Sequence, residues 1–307
     1  MSWFWLSLIA LLCWSGSDLF SKIGCRDQKD KTAHLKMVIA VGLVMGLHAA
    51  YEIFVGGVEI NMGIILKYLP VSILYILSMT LGYIGLRYIE LSVSSPICNS
   101  SGALVAIVTI LTMGLRSITG LQLGATALVC VGVVGLGFVD MHEDEEARQL
   151  RQSISNYKYA KSFIAILLPV LYCVLDAAGT FADSLVLETL NEDSANVAYE
   201  LTFLVAGIGC LAYLLAKRER FTVRQESPKY IGACFETAGQ LAYIYALADS
   251  EHVALSAPII SGYCLASVVW SRIFLKEKLS RKHYIMIAIA VLGIVLLGLS
   301  DGLSGDV

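Results

Sequence analysis

The sequence predicts an all-α integral membrane protein with ten transmembrane helices, arranged as two inverted five-helix repeats. Three observations predict this fold class: the composition, the spacing of long apolar segments and the positions of the basic residues. The 307 residues are 57% hydrophobic and only 15% charged, with a mean hydropathy of +0.73. A soluble domain carries roughly 25% charged residues. The shortage of charge therefore indicates a surface that faces lipid.

Ten apolar segments are each long enough to cross a bilayer, for which a helix needs about 20 mostly apolar residues. They lie near residues 2–21, 35–56, 66–88, 93–113, 119–139, 162–186, 196–216, 228–248, 253–274 and 283–300. The first lacks the basic start and small-residue cleavage site of a signal peptide, so we expect it to be retained. The longest polar stretch divides the ten segments into two sets of five. We therefore expect one five-helix repeat at 1–140, a polar cytoplasmic linker at 141–161 and a second repeat at 162–307.

The basic residues set the expected orientation, because cytoplasmic loops carry an excess of Lys and Arg. Only Lys67 and Arg116 fall on one side of the predicted bundle. The other side holds Lys22, Arg26, Lys29, Lys31, Lys36, Arg87, Arg148, Arg151, Lys158, Lys161, Lys217, Arg218, Arg220, Arg224, Lys229, Arg272, Lys276, Lys278, Arg281 and Lys282. This asymmetry predicts a multi-pass protein of the plasma (inner) membrane with both termini outside.

Similar residues recur at a nearly constant offset in the two halves of the chain. The pairs are Lys67-Tyr68 with Lys229-Tyr230, Tyr83 with Tyr245 and Ser95-Pro96 with Ala257-Pro258 at offset 162, and Trp14/Asp18 with Tyr172/Asp176 at offset 158. Because five is odd, equivalent helices of the two halves would cross the bilayer in opposite directions. Inverted repeats of this kind are a common architecture of secondary transporters, with the substrate site between the repeats.

The clearest motif is the segment ALADSEHVALSAPIISGYCLASVVWSRIFLKEKLS at 246–280, with Pro258 early in the ninth apolar segment and Glu277, Leu279 and Ser280 after it. This pattern resembles the EamA-type transporters of the drug/metabolite transporter superfamily. The first half departs from it, since Leu115 stands where the loop Glu would be. The resemblance covers most of the chain. It implies a central cavity between the halves and transport by alternating access without ATP hydrolysis.

Carboxylates inside apolar segments are the first candidates for substrate contact. An ionisable side chain at the middle of a membrane costs at least about 2.5–3.5 kcal/mol, so it faces the bundle interior or a wet cavity. Asp176 and Glu236 lie near the middle of their segments, and neither has a cation within four residues of its own helix. We expect both to line the cavity and to carry proton coupling. Asp18 either joins them or pairs with Lys22 one turn further on.

Polar and aromatic stripes on several segments complete the predicted cavity wall. Glu236, Gln240 and Tyr243 are spaced by four and three residues, which puts them on one face of a helix. The full set of predicted substrate-binding residues is Trp14, Asp18, Tyr83, Asn99, Tyr172, Asp176, Glu236, Gln240, Tyr243, Tyr245, Tyr263 and Trp270. Aromatic faces attract a cation by about 0.5–2 kcal/mol each. Carboxylates and aromatic rings together favour a cationic solute.

Other polar residues in the segments have structural explanations. Glu200 is expected at the outer interface as a charge near a helix start, and His48 is expected to pair with Glu52 four residues on. Pro96 and Pro258 are expected at the opening of their segments, either as ordinary first-turn prolines or as pivots. Two glycine pairs predict close helix contacts, Gly42 with Gly46 and Gly120 with Gly124.

These features predict a secondary active transporter of a small organic solute, with a cationic amine or quaternary ammonium compound as the expected class. Proton and cation would compete for the same carboxylates, which gives proton-coupled antiport. Two alternatives remain open: an exporter of amino acids or other neutral or zwitterionic metabolites, and a non-transporting membrane scaffold or receptor.

Enzyme activity and nucleic-acid binding are not expected. The sequence has no HExxH, Gly-x-Ser-x-Gly or paired intramembrane Asp motif, and His48 lacks metal-ligand partners at usable spacing. We therefore expect no catalytic residue, no metal and no cofactor. Since there is no long basic run, nucleic acid is excluded as a partner. The expected partners are the solute and the bilayer, with the protein a monomer or a homodimer.

Overall fold

The computed structural model describes residues 2–27, 30–89, 91–114, 118–141, 163–277 and 279–304. Throughout these ranges the regular structure is helical and contains no strand. The helices are α1 (Trp3–Cys25), α2 (Ala33–Tyr51, continued by a π-helical turn Glu52–Gly56), α3 (Met62–Gly85), α4 (Leu91–Asn99), α5 (Ser101–Met113), α6 (Gly120–Met141), α7 (Phe163–Leu187), α8 (Glu192–Ala216), α9 (Val223–Leu247), α10 (Val253–Ser261), α11 (Tyr263–Trp270, continued by a π-helical turn Ser271–Leu275) and α12 (Arg281–Ser304). The predicted fold class, an all-α membrane protein, is confirmed.

Eight helical stretches within the described ranges are long and apolar enough to cross a membrane. They are α1, α2, α3, α4 with α5, α6, α7, α8, and α10 with α11. The two remaining long helices, α9 and α12, have 25 and 24 residues, which is also sufficient length to span a bilayer. Helix α9 carries Glu226, Lys229 and Glu236, so it is less apolar than the others. The count of ten spans stays a prediction.

Some predicted features fall outside the described residues. These are the linker 142–161 and the side chains of Lys29, Leu115, Arg116 and Lys278.

Two membrane spans are broken near their middle, at equivalent places in the two halves. Ser100 separates α4 from α5, and Gly262 separates α10 from α11. Each break comes four residues after a proline, Pro96 or Pro258, which is the sixth residue of its helix. Our expectation that these prolines open their segments was therefore wrong. A proline inside a helix has no N–H to donate and its ring crowds the preceding turn, so each broken span also has a weakened turn just before its proline.

The second helices of the two halves, α2 and α8, pack against each other in opposite directions. A Cβ atom built on Gly42 would lie 2.6 Å from the carbonyl oxygen of Phe203, and one on Gly46 would lie 2.7 Å from Leu204. Further along α2, His48 contacts Glu200. Residue numbers rise along α2 as they fall along α8, so the pair is antiparallel. The predicted close contact at Gly42 and Gly46 is confirmed.

The last helices of the halves, α6 and α12, form a second antiparallel pair. A Cβ on Gly132 would lie 2.7 Å from the backbone nitrogen of Ala290, and one on Gly293 would lie 2.6 Å from the carbonyl oxygen of Ala125. Equivalent helices thus run in opposite directions, which is the relation expected of inverted repeats. By contrast, a Cβ on Gly120 or Gly124 would meet no atom within 4 Å. The predicted close contact at that pair is therefore not made within the described part of the chain.

The first helix of each half packs against the third helix of the other half. Helix α1 packs along α9, where Gly24 lies against Lys229 and Gly239 against Trp14. Helix α3 packs along α7, where Gly82 lies against Tyr172. Both pairs are antiparallel and each joins one half to the other. We call the end of the bundle at which α1 and α3 begin the N-terminal face, and the end at which they finish the basic face.

Candidate functional site

A cavity lies at mid-depth between the two halves, and both helix breaks reach it. Asn99 and Ser101 flank the first break and Ser261 and Tyr263 flank the second, and all four line the cavity. The space open to the centre of a water molecule is about 80 Å³, several times the roughly 10–15 Å³ that one water needs. Broken helices around a central polar cavity are typical of substrate sites in secondary transporters.

Ten of the twelve residues predicted to bind substrate line this cavity: Trp14, Asp18, Tyr83, Asn99, Tyr172, Asp176, Glu236, Gln240, Tyr243 and Tyr263. The structure places the other two elsewhere. Tyr245 is 38% exposed and its hydroxyl contacts the Asp193 carboxylate near the start of α8. The Trp270 indole N–H donates to the Ser15 hydroxyl at 3.2 Å, outside the described lining.

Asp18 is held by hydroxyl groups from both halves of the protein. Its carboxylate accepts a hydrogen bond from Ser95 at 2.5 Å and another from Ser267 at 2.8 Å. The Lys22 ammonium, the rival partner predicted from the sequence, donates to the carbonyl oxygens of Leu86 at 2.6 Å and Ile89 at 2.8 Å. Asp18 therefore belongs to the cavity wall, while Lys22 ties the end of α1 to the end of α3 at the basic face.

Asp176 and Glu236 occupy matching depths in the bundle. Each is the fourteenth residue of a 25-residue helix, α7 and α9 respectively. The Asp176 carboxylate accepts a hydrogen bond from the Ser101 hydroxyl at 2.7 Å, and Glu236 is only 9% exposed. Among the described residues that line the cavity, three are acidic and none is Lys, Arg or His. The cavity therefore has a net acidic lining.

Aromatic rings and unpaired donors make up much of the remaining wall. The Trp14 ring centroid lies 4.9 Å from that of Tyr243 and 5.8 Å from that of Tyr263. The Trp14 indole N–H, the Tyr83 hydroxyl and the Gln240 amide nitrogen are buried without a hydrogen-bond partner in the described part of the chain. Buried polar groups normally have partners, so these three are available to a bound solute.

Ser101 and Tyr199 are among the residues of the wall that sequence reasoning missed. Ser101 lies two positions after Asn99, and residues two apart do not share a face of a continuous helix. The break at Ser100 brings both to the cavity. The helical spacing of polar residues could not reveal this, although the proline four residues before the break is a signal for it.

Glu200 lies outside the cavity and is fully buried between α2 and α8. The His48 ring nitrogen Nδ1 is 2.9 Å and 3.0 Å from its two carboxylate oxygens. Our expectation of an interfacial charge was wrong, because His48 supplies a partner from the facing helix. The predicted contact of His48 with Glu52 is present at 3.7 Å. His48 thus lies between two carboxylates.

Comparison with known proteins gives three results. The sequence model of the EamA-like transporter family matches residues 163–299. No curated protein sequence matches the chain. One solved structure, described as a crystal structure of a protein, is similar in fold, with a TM-score of 0.65 and 13% sequence identity over 97% of this chain and 96% of that chain. At this identity the likeness shows the fold alone.

Proposed function

Because residues 163–299 of this chain belong to the EamA-like transporter family, part of the drug/metabolite transporter superfamily, we propose that the protein is a secondary active transporter of cationic amines or quaternary ammonium compounds. The observation that carries this proposal is the cavity between the halves, with three carboxylates and no basic residue in its described lining.

The chemistry of the wall supports a cation as the solute. A carboxylate supplies the opposite charge, and the rings of Trp14, Tyr243 and Tyr263 offer π faces that attract a cation by about 0.5–2 kcal/mol each. A buried ionised carboxylate is costly without a partner. When no solute is bound, a proton is the simplest partner for such a group. We therefore propose proton-coupled antiport, in which Asp176 and Glu236 bind either a proton or the solute.

The two repeats, 1–140 and 162–307, are proposed to exchange conformations around the cavity, which opens it alternately to either side of the membrane. The concentration of Lys and Arg at the basic face favours an orientation with that face in the cytoplasm of a cell bounded by a plasma or inner membrane. Both termini would then lie outside. No oligomer is required by this mechanism, so the protein would work as a monomer or as each half of a homodimer.

A second candidate substrate class is a zwitterion such as an amino acid. The observation that favours it is the set of unpaired buried donors, the Trp14 indole N–H, the Tyr83 hydroxyl and the Gln240 amide. These groups could bind a carboxylate while Asp176 or Glu236 binds an ammonium group. A membrane scaffold or receptor without transport is the alternative of another class, and nothing in the geometry favours it.

The test is transport by purified protein in proteoliposomes with an imposed pH gradient. The probes are radiolabelled tetraethylammonium, a primary alkylamine and an amino acid, each with counterflow by the unlabelled compound. We expect Asp176→Asn and Glu236→Gln each to lower tetraethylammonium flux at least tenfold and to abolish its dependence on the gradient. The control is Glu251→Gln, which removes an exposed carboxylate between α9 and α10. Unaltered flux in both cavity variants would reject the mechanism, and flux of the amino acid alone would select the zwitterion.

A further inference from the structure

Another buried carboxylate lies beyond the cavity, two helical turns further along α7 than Asp176. Asp183 is fully buried, and a separation of seven residues puts it about 10 Å further along the helix axis, toward the N-terminal face. Its carboxylate accepts a hydrogen bond from the Tyr68 hydroxyl at 2.8 Å and a longer one from the Tyr75 hydroxyl at 3.5 Å. Neither Asp183 nor Tyr68 is among the residues that line the cavity.

Between Asp183 and the cavity the hydroxyl groups form a continuous chain. The Tyr75 hydroxyl lies 3.2 Å from the Thr180 hydroxyl and contacts the Tyr243 hydroxyl, and Tyr243 in turn donates to Thr180 at 3.1 Å. Tyr75, Thr180 and Tyr243 all line the cavity. We call Tyr68, Tyr75, Thr180 and Tyr243, together with Asp183, the hydroxyl layer. It lies at the end of the cavity that is nearer the N-terminal face.

The hydroxyl layer joins the two halves of the protein. Tyr68 and Tyr75 come from α3, whereas Asp183 comes from α7 and Tyr243 from α9. A buried carboxylate that loses its donors carries a large desolvation cost. Asp183 therefore favours the arrangement in which α3 stays against α7, and that contact can open only when water or another donor replaces the tyrosines.

The basic face has its own connection between helices, of different chemistry. The buried Lys22 ammonium on α1 donates to the carbonyl oxygens of Leu86 and Ile89 at the end of α3. Lys22 stands at the position in the first half that corresponds to Thr180 in the second, at offset 158. Lys22 and Thr180 thus occupy equivalent depths of the inverted halves, near opposite ends of the cavity.

We infer that the hydroxyl layer is the gate of the transport path at the N-terminal face, with Asp183 as the positioning residue that holds it shut. The inference rests on the proposed function, since a gate has a purpose only on a transport path. Loss of a donor to Asp183 shifts the protein toward states in which the cavity is open at that face. Asp183 does not touch the solute in the closed arrangement.

The native cysteine Cys98 lines the cavity and provides a reporter of access that requires no knowledge of the substrate. The test uses the full chain with the other seven cysteines replaced by alanine, in right-side-out and inside-out membrane vesicles. A membrane-impermeant maleimide is added, and the rate of Cys98 labelling is measured from each side. The same chain with Cys98→Ala gives the background rate.

We expect Tyr68→Phe, which removes the hydrogen bond donated at 2.8 Å, to raise labelling from the N-terminal face at least fivefold and to leave labelling from the basic face unchanged. Lys22→Met is expected to have the opposite sidedness. The matched control is Tyr245→Phe, because it removes a tyrosine hydroxyl that contacts a carboxylate, Asp193, near the same face but outside the cavity. Should Tyr68→Phe fail to fold, Asp183→Asn carries the same expectation.

An equal increase from both faces, or the same increase in Tyr245→Phe, would overturn the gate. No increase in either Tyr68→Phe or Asp183→Asn would overturn it as well. Because labelling needs neither solute nor pH gradient, this outcome is separable from the substrate question. A side-specific increase together with failed amine transport would retain the gate and reject the proposed substrate.

Discussion

Replacement of Gly42 by alanine tests how tightly the two halves are joined. The added Cβ would lie 2.6 Å from the Phe203 carbonyl oxygen and 3.2 Å from the Cα atom of Gly207. Both are backbone atoms, so relief requires α2 to move away from α8. Overpacking of this kind costs about 1–3 kcal/mol, and the gain from replacing a helical glycine by alanine is only about 0.5–1 kcal/mol. We expect a net destabilisation of roughly 1–2 kcal/mol.

The assay is thermal unfolding in detergent, followed by the fluorescence of the four tryptophans. At about 2–4 °C per kcal/mol for a large domain, Gly42→Ala should lower Tm by roughly 2–8 °C. The matched control is Gly124→Ala, since a Cβ there meets no atom within 4 Å. It should leave Tm unchanged or raise it slightly through helix propensity. Equal Tm values for the two variants would refute the reasoning that α2 and α8 meet backbone to backbone.

Two further predictions concern neighbouring or exposed groups. Tyr243→Phe removes a hydroxyl from the hydroxyl layer and should change amine flux at least threefold. Tyr245→Phe should leave amine flux unchanged, because that hydroxyl contacts Asp193 outside the cavity. Proteoliposome flux of the two variants measures the contrast. Burial alone would raise the pKa of Asp30, but hydrogen bonds from Lys36 and Thr32 and the charge of Lys36 hold that pKa below its ordinary value. The stabilisation that Asp30 provides relative to Asp30→Asn should therefore be present above about pH 4. It should disappear as the pH falls through the pKa of the folded state. Tm measured for both proteins from pH 7 to pH 3 checks this, and a difference that grows on acidification would contradict it.

The helices could be predicted from the sequence because lipid imposes a simple requirement. A spanning segment must satisfy its backbone groups internally, so a long apolar run becomes a helix almost regardless of its neighbours. The described helices start and end within about five residues of the predicted segments. The inverted arrangement followed from an odd number of segments per half, and the antiparallel contact of α2 with α8 agrees with it.

Cavity residues were predictable where polar side chains recur at helical spacing on an unbroken helix. Glu236, Gln240 and Tyr243 form such a stripe, and all three line the cavity. The rule failed for Tyr245, which lies only two positions beyond Tyr243 and so points to another face of α9. It also failed to find Ser101, since the helix break changes the direction of the side chains that follow it.

Partners across helices could not be predicted from one sequence. Spacing within a helix suggested that Asp18 pairs with Lys22, but the hydroxyl groups of Ser95 and Ser267 reach Asp18 from α4 and α11. Glu200 likewise found its partner, His48, on the facing helix. Serine hydroxyls are common in apolar segments, and no sequence pattern says which of them will meet a carboxylate after folding.

The packing of α1 against α9, and of α3 against α7, has a consequence for the insertion of the chain into the membrane. The first five spans are synthesised before α7 to α12 exist, so the newly inserted segment holds Asp18 without the α9 and α11 surfaces that later enclose it. Domains generally complete folding as units during synthesis, yet here neither half presents a finished set of neighbours alone. Final assembly must therefore wait for α12, which packs against α6. Until α12 is inserted, the polar side chains of the partly assembled bundle remain exposed to the quality-control proteins of the membrane.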